Sequence, residues 1–273
     1  MTNLSHYYDQ LFFQSKLYNG RRLILLFCTL TFLSISIYVN GFILYLLSIF
    51  ALISQIISWL IKVKTNELNS LAHEMHSMHL ISIAYGNIPS EFIISHLISK
   101  VDSNVFSKID KKLKDEKVDG AKFTSDKNEL GNNKLIKMIQ ENSYWNYNLY
   151  KYTYKRNCKI IIIALLIIIT AFIIYLPFIS FSQNFDFARL ILSFLSFVIL
   201  YEFLESTLIM KKGAESMLEI DNEISRNKVL DENKLLSIFS QYINIKNNVP
   251  SPPEKIYLKY RDILNNGWQE REK

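Results

Sequence analysis

Apolar residues fall along this chain in two patterns, long unbroken runs and helical stripes. No residue between Arg22 and Lys62 carries a charge, and none does between Lys159 and Asp186. A bilayer core about 30 Å thick needs about 20 helical residues, so the first run suffices for two crossings. Its one weak interruption is Asn40-Gly41, a turn pair. The pattern predicts helices over 23–39 and 42–61, joined by a tight hairpin. A third span is expected over 160–181, with Pro177 near its far end, where a kink costs little. The next apolar stretch, 190–201, is too short to cross. It is expected to continue through Glu202 and Glu205 to about Met210, where Lys211 and Lys212 stop it. The alternative is a short re-entrant or interfacial helix.

Outside the runs the period is that of amphipathic helices. Leu68, Leu71, Met75 and Met78 predict that the second span continues as a helix until Asn87, Ile88 and Pro89 break it. Ile94, Ile98, Val101, Val105 and Ile109 share one face of a following helix. Residues 108–133 are charged, contain Gly120 and Gly131, and read as a loop. From Leu135 a helix is expected to run directly into the third span. The fourth span should continue to about Asn227. Asp231 then caps a helix carrying Leu235, Leu236, Phe239, Tyr242 and Ile243. Pro250, Pro252 and Pro253 exclude helix at 249–253. A last helix carries Ile256, Tyr260, Ile263, Leu264 and Trp268. No segment alternates as a strand. The expected fold is an all-α membrane protein with two transmembrane helical hairpins, four spans in all. An N-terminal helix at 1–22, a helical cytosolic insert at 62–159 and a helical C-terminal region at 211–273 complete it.

Composition alone hides this. Of 273 residues, 49% are hydrophobic and 21% charged, averages that suit a soluble globule. The segregation of those residues excludes one. The formal charge of +6 would by itself suggest a nucleic-acid partner. Its placement gives a simpler reading. Lys16, Arg21 and Arg22 precede the first span, and Lys62 and Lys64 follow the second. Lys151, Lys155, Arg156 and Lys159 precede the third, and Lys211 and Lys212 follow the fourth, whereas the hairpin tips hold only Arg189. Positive residues mark the cytosolic side. Both termini and the insert are therefore expected in the cytosol, and no nucleic-acid polymer is expected as a partner. The first run starts after a polar stretch and lacks a small-residue cleavage site, so it does not read as a cleavable signal peptide. Cys28 and Cys158 are expected to be small buried thiols.

Little catalytic chemistry is visible. His73, His76 and His79 recur every third residue. That spacing can bring two imidazoles to one metal, but the stripe drifts around the helix and leaves the third aside. Solvated or interfacial histidines are the expectation, with pH sensing the functional alternative. There is no glycine-rich phosphate loop, Ser–His–Asp pattern, Cys-x-x-Cys or kinase motif, so neither enzyme activity nor a cofactor is expected. Glu202 and Glu205 stand out, because a carboxylate inside a span usually faces a bundle interior or a water path. At 1.5 Å per residue, Glu202 lies roughly 18 Å from the outer face and Gln55 about 20 Å. Gln55 and Glu202 are therefore expected to meet across helices or to line one aqueous path, with Ser54 and Ser58 extending the polar stripe. Pairing of the carboxylates with lysines at the cytosolic interface is the alternative.

Two surfaces could attract an anionic nucleotide. One is Lys111, Lys112, Lys114 and Lys117, which otherwise form a solvated loop. The other joins Tyr144, Trp145, Tyr147, Tyr150, Tyr152 and Tyr154 to Lys151 and Lys155, since aromatic rings stack on bases. Packing against the C-terminal helix is the competing reading of those rings.

Three short motifs carry a family resemblance. They are Gln14-Ser15-Lys16-Leu17-Tyr18 before the first span, Tyr144-Trp145-Asn146 before the third, and the tail with Pro250, Pro252, Tyr257, Arg261 and Trp268. With the two hairpins and the helical insert, the chain resembles the SMODS-associated four-transmembrane family of pore-forming effectors over nearly its full length. Asn146 stands where the resemblance would place an acidic residue. The resemblance implies a bacterial inner-membrane effector of a nucleotide-signalled antiphage system (CBASS), in which a nucleotidyltransferase makes a cyclic oligonucleotide and the effector damages the host membrane. Four spans with few polar faces cannot enclose a wide channel alone, so a homo-oligomer in the lipid bilayer is expected. A non-conducting membrane scaffold is the rival reading, and a transporter the third.

Overall fold

The computed structural model describes residues 4–36, 39, 41–87, 90–103, 105–107, 130–175, 199–227 and 230–271. All its long elements are helices: α1 (Leu4–Ser36), α2 (Phe42–Tyr85), α3 (Glu91–Ser99), α4 (Asn132–Tyr175), α5 (Ile199–Arg226), α6 (Glu232–Asn248) and α7 (Glu254–Arg271). There is no strand among the described residues. The all-helical class therefore agrees with the sequence pattern. Among the described residues one helix, α2, is long and apolar enough to cross a membrane. The hairpin tip at 176–198, and with it the ends of the third and fourth expected spans, lies outside the described residues.

Local signals explain most helix ends. Asp231 caps α6 by accepting a 2.7 Å hydrogen bond from the Lys234 amide, and Ser90 accepts one from the Ile93 amide at the start of α3. Gly86 follows α2 at φ +68°, a left-handed conformation suited to a helix end. The amide of Gly131 donates to the Ala84 carbonyl at 2.7 Å, tying the start of α4 to the end of α2. Two expected boundaries differ. The N-terminal helix and the first span are one element, α1, described as far as Ser36, and Val39 is not helical. The amphipathic helix of the insert stops at Ser99, and a new turn begins when the Asp102 carbonyl accepts from Val105 and Phe106.

The chain divides into two compact units. The first comprises Met1–Lys16, Asn66–Thr153 and Ile209–Lys273. It has a close-packed apolar core in which Leu11, Met75, Met138, Met217, Ile220 and Ile238 are buried. This unit is called the body below. The second comprises Leu17–Thr65 and Tyr154–Leu208. Its helices turn their apolar side chains outward, with Phe42 75% and Leu52 61% exposed. In the most apolar stretch of α2 only 11% is buried. Its hydroxyls turn back on their own helix: Thr29, Thr31 and Ser48 each donate at 2.9 Å to a carbonyl four residues earlier. Such internal pairing is what a medium without water requires. Both thiols, Cys28 and Cys158, are free and half-buried.

Candidate functional site

The polar candidates of the second unit are incompletely described. Gln55 is half-buried on α2, between half-buried Ser54 and buried Ser58. Glu205 is exposed on α5, and Glu202 lies on the same helix with its side chain outside the described residues. The expected meeting of Gln55 with Glu202 falls there too, as does the lysine cluster from Lys111 to Lys117.

In the body, the aromatic cluster of α4 meets the C-terminal helix α7. Tyr152 stacks on Tyr260 with centroids 3.9 Å apart and planes 14° from parallel. Tyr144 packs on Trp268 at 5.5 Å and Trp145 on Tyr257 at 6.0 Å. Leu149, Ile256 and Leu264 form the small core beneath them. A Cβ on Gly267 would lie 2.5 Å from the Tyr144 hydroxyl, so only glycine allows this approach. Arg271 fixes the end of α7. Its guanidinium grips the buried Asp221 carboxylate with two bonds, 2.6 and 2.7 Å, and donates at 2.7 Å to Ser225. It also lies over the rings of Tyr144 and Trp268. Burial raises the Tyr144 pKa, partly offset by Arg271.

Packing against the C-terminal helix thus accounts for Tyr144, Trp145 and Tyr152. The remaining members of that candidate surface differ. Lys151 donates to the Tyr147 hydroxyl at 2.9 Å, and Lys155 is exposed.

A second cluster was not visible as a unit in the sequence. It joins Tyr8 of α1, His73, His76 and His79 of α2, Asn146 and Tyr150 of α4, and Tyr242 and Lys246 of α6. Phe12 packs edge-on against His73 at 4.8 Å, and Tyr8 against His76 at 5.1 Å. The Tyr8 hydroxyl lies 3.3 Å from His79 Nδ1. His73 is buried and the other two are half-buried, which removes the solvated half of the expectation of solvated or interfacial histidines. Their spacing of three follows the side of α2 covered by α1. Burial pushes the His73 pKa down to about 2 and that of His76 to about 3, reinforced in each case by the Lys246 charge. Both imidazoles are neutral at pH 7. Among the described residues no group of three or more His, Cys, Asp or Glu side chains could hold a metal.

Lys246 is the least expected member. The residue is half-buried, and burial of its ammonium lowers its pKa to about 8. Its bond is a 3.1 Å donation to Asn146 Oδ1. Asn146 therefore offers Lys246 an amide oxygen instead of a salt bridge. The one sequence signal of this pairing is a lysine on the apolar stripe of α6, one turn after Tyr242.

Comparison with family models, with curated proteins and with solved structures finds no match to this chain.

Proposed function

We propose that this chain is a multi-pass protein of the bacterial inner membrane whose oligomers open an ion path when a signal reaches its cytosolic helical body. It acts in a nucleotide-signalled antiphage response and carries out no catalysis of its own. The observation that carries this reading is the change of environment along α2. The helix presents bare apolar side chains from Phe42 to Leu60, then buries Leu68, Leu71, Met75 and Leu80 in the body's core. Water cannot solvate the first part and lipid can. Because both parts belong to one unbroken helix, a displacement in the body is carried into the apolar segment.

The path itself is assigned to Gln55, Glu202 and Glu205, the polar positions of otherwise apolar helices, and the positive flanks keep both termini in the cytosol. The activating ligand in this reading is a cyclic oligonucleotide made by a partner nucleotidyltransferase. Tyr147, Lys151 and Lys155 remain accessible to it. Tyr144 and Trp145 are half-buried against rings of α7, so a base stacking on them would compete with α7.

The rival is a membrane-anchored scaffold that recruits a cytosolic partner without conducting. Exposed apolar residues on the body, Phe92, Leu236, Leu258 and Ile263 among them, favour it. Cells expressing the chain decide between the two when membrane potential is read with and without a cyclic oligonucleotide. Conduction predicts ligand-dependent depolarisation that Glu202→Gln and Gln55→Leu change. Unaltered potential and no dye entry in any condition leave the scaffold.

A further inference from the structure

Among the described residues of the body, the buried ammonium of Lys246 has an amide oxygen as its partner and no ion pair. Lys246 sits among groups that are neutral at pH 7. These are His73 and His76 from α2, Tyr8 from α1, Asn146 and Tyr150 from α4, and Tyr242 from its own helix. Asp9, the acid on α1, interacts with Tyr8 and Lys16, and burial rather than a neighbouring charge sets the Lys246 shift. A desolvated ammonium without a counter-charge is costly, and the usual remedy is an ion pair. Loss of the proton is the other remedy. At neutral pH it is only partial here, because the pKa near 8 leaves the amine mostly charged.

Unused hydrogen-bonding atoms lie in the same neighbourhood. Among the described residues, the buried Tyr242 hydroxyl and His73 Nδ1 have no hydrogen-bond partner. An orphaned buried polar atom in a well-packed protein calls for a bound water or ion. Tyr242 and Lys246 are one turn apart on α6, so they project from the same face. Lys246 has one N–H engaged by Asn146 and two to spare.

From this convergence we infer that the body holds a small inorganic anion of the chloride class, bound by Lys246 Nζ with the Tyr242 hydroxyl and His73 as further donors. The donors are one point charge and two single O–H or N–H groups, with no planar fork of the kind that reads a carboxylate in two bonds, so a small spherical anion suits them. Lys246 as a whole is half-buried rather than sealed from solvent. Bound there, the anion ties α6 to α2 and α4, and so acts as a structural counter-ion of the body. This inference does not rest on the proposed membrane function.

The test is thermal unfolding of the full chain in detergent, at pH 7 and constant ionic strength, with chloride exchanged stepwise for the bulky gluconate. The melting temperature of the wild-type chain should rise with chloride and saturate, as binding to the folded state requires. Asn146→Asp places a carboxylate on the atom that already accepts from Lys246. It should melt higher than wild type in gluconate and lose the chloride response. Tyr242→Phe removes one donor and should raise the half-saturating chloride concentration about tenfold. A bromide soak of crystals should place an anomalous peak beside Lys246 Nζ. Equal wild-type melting in the two salts would overturn the inference in favour of a bound water or a neutral lysine. A full chloride response in Asn146→Asp would overturn it as well, by locating the anion elsewhere.

Discussion

The two units of this protein use the same residues, Leu, Ile and Phe on helices, and treat them oppositely. In the body, Met75, Met138, Met217 and Ile238 are sealed from solvent. In the second unit, Phe42, Leu52 and Ile173 face outward, and hydroxyls fold back on their own backbone. Hydrophobicity alone does not distinguish the two. What differs is whether the apolar face has a protein neighbour, and α2 takes both options along its length.

The sharpest way to break this contrast in the body is Trp268→Ala. It removes the buried ring that joins α7 to Tyr144, and should cost about 3–5 kcal/mol of stability. Chemical denaturation followed by near-ultraviolet circular dichroism checks it, and a loss under 1 kcal/mol would show that α7 is only loosely held.

Next comes a matched pair. Leu52 and Leu236 are exposed to nearly the same degree, 61% and 63%. Leu52→Arg should lower membrane insertion by about 3 kcal/mol, as for a cation in a spanning helix. Leu236→Arg on the body should change stability by less than about 0.5 kcal/mol. Fractionation of cells and melting of purified protein read the two effects.

Acid and alkali should act on the body through its buried bases. His73 and His76 have folded pKa values far below the unfolded value of 6.5, so the unfolded chain binds more protons between them. Their contribution to stability is full above pH 6.5 and is lost progressively as pH falls toward 3. In gluconate, where no small anion balances its charge, Lys246 does the same in a higher window, and stability rises from pH 8 to 10.5. Melting temperatures from pH 4 to 10 test this. His73→Phe should flatten the acid limb, and Lys246→Met the alkaline one.

Smaller effects belong to helix ends and the surface. Asp231→Ala removes the cap of α6 and should cost about 1 kcal/mol. Glu74→Ala breaks the ion pair with Lys100, whose partners are 41% and 48% exposed. It should cost no more than about 0.5 kcal/mol and vanish at high salt. Both are measured by urea denaturation.

Much of the helix layout could be read from the chain. The cap at Asp231, the break after Tyr85 and the proline stop before α7 are local signals, and each acts where the sequence places it. The continuity of α4 from the body into the apolar run was legible because nothing interrupts its period. The histidine cluster was not, because His73 takes its meaning from Phe12 and Lys246, which are distant in sequence. The same holds for Asn146, whose role depends on a lysine 100 residues later. The α4 aromatics presented two readings, and only the partner rings on α7 separate them. Periodicity shows which face of a helix is apolar; it does not show what covers that face.

The central claim is that the outward apolar face of the second unit lies against lipid. It is tested most directly by spin labels at residues 52 and 236, in chains lacking Cys28 and Cys158 and reconstituted into vesicles. The account predicts that the label at 52 collides mainly with dissolved oxygen and is shielded from a water-soluble nickel chelate, with the reverse at 236. A label at 52 reached by the chelate, or shielded from both reagents, would contradict it.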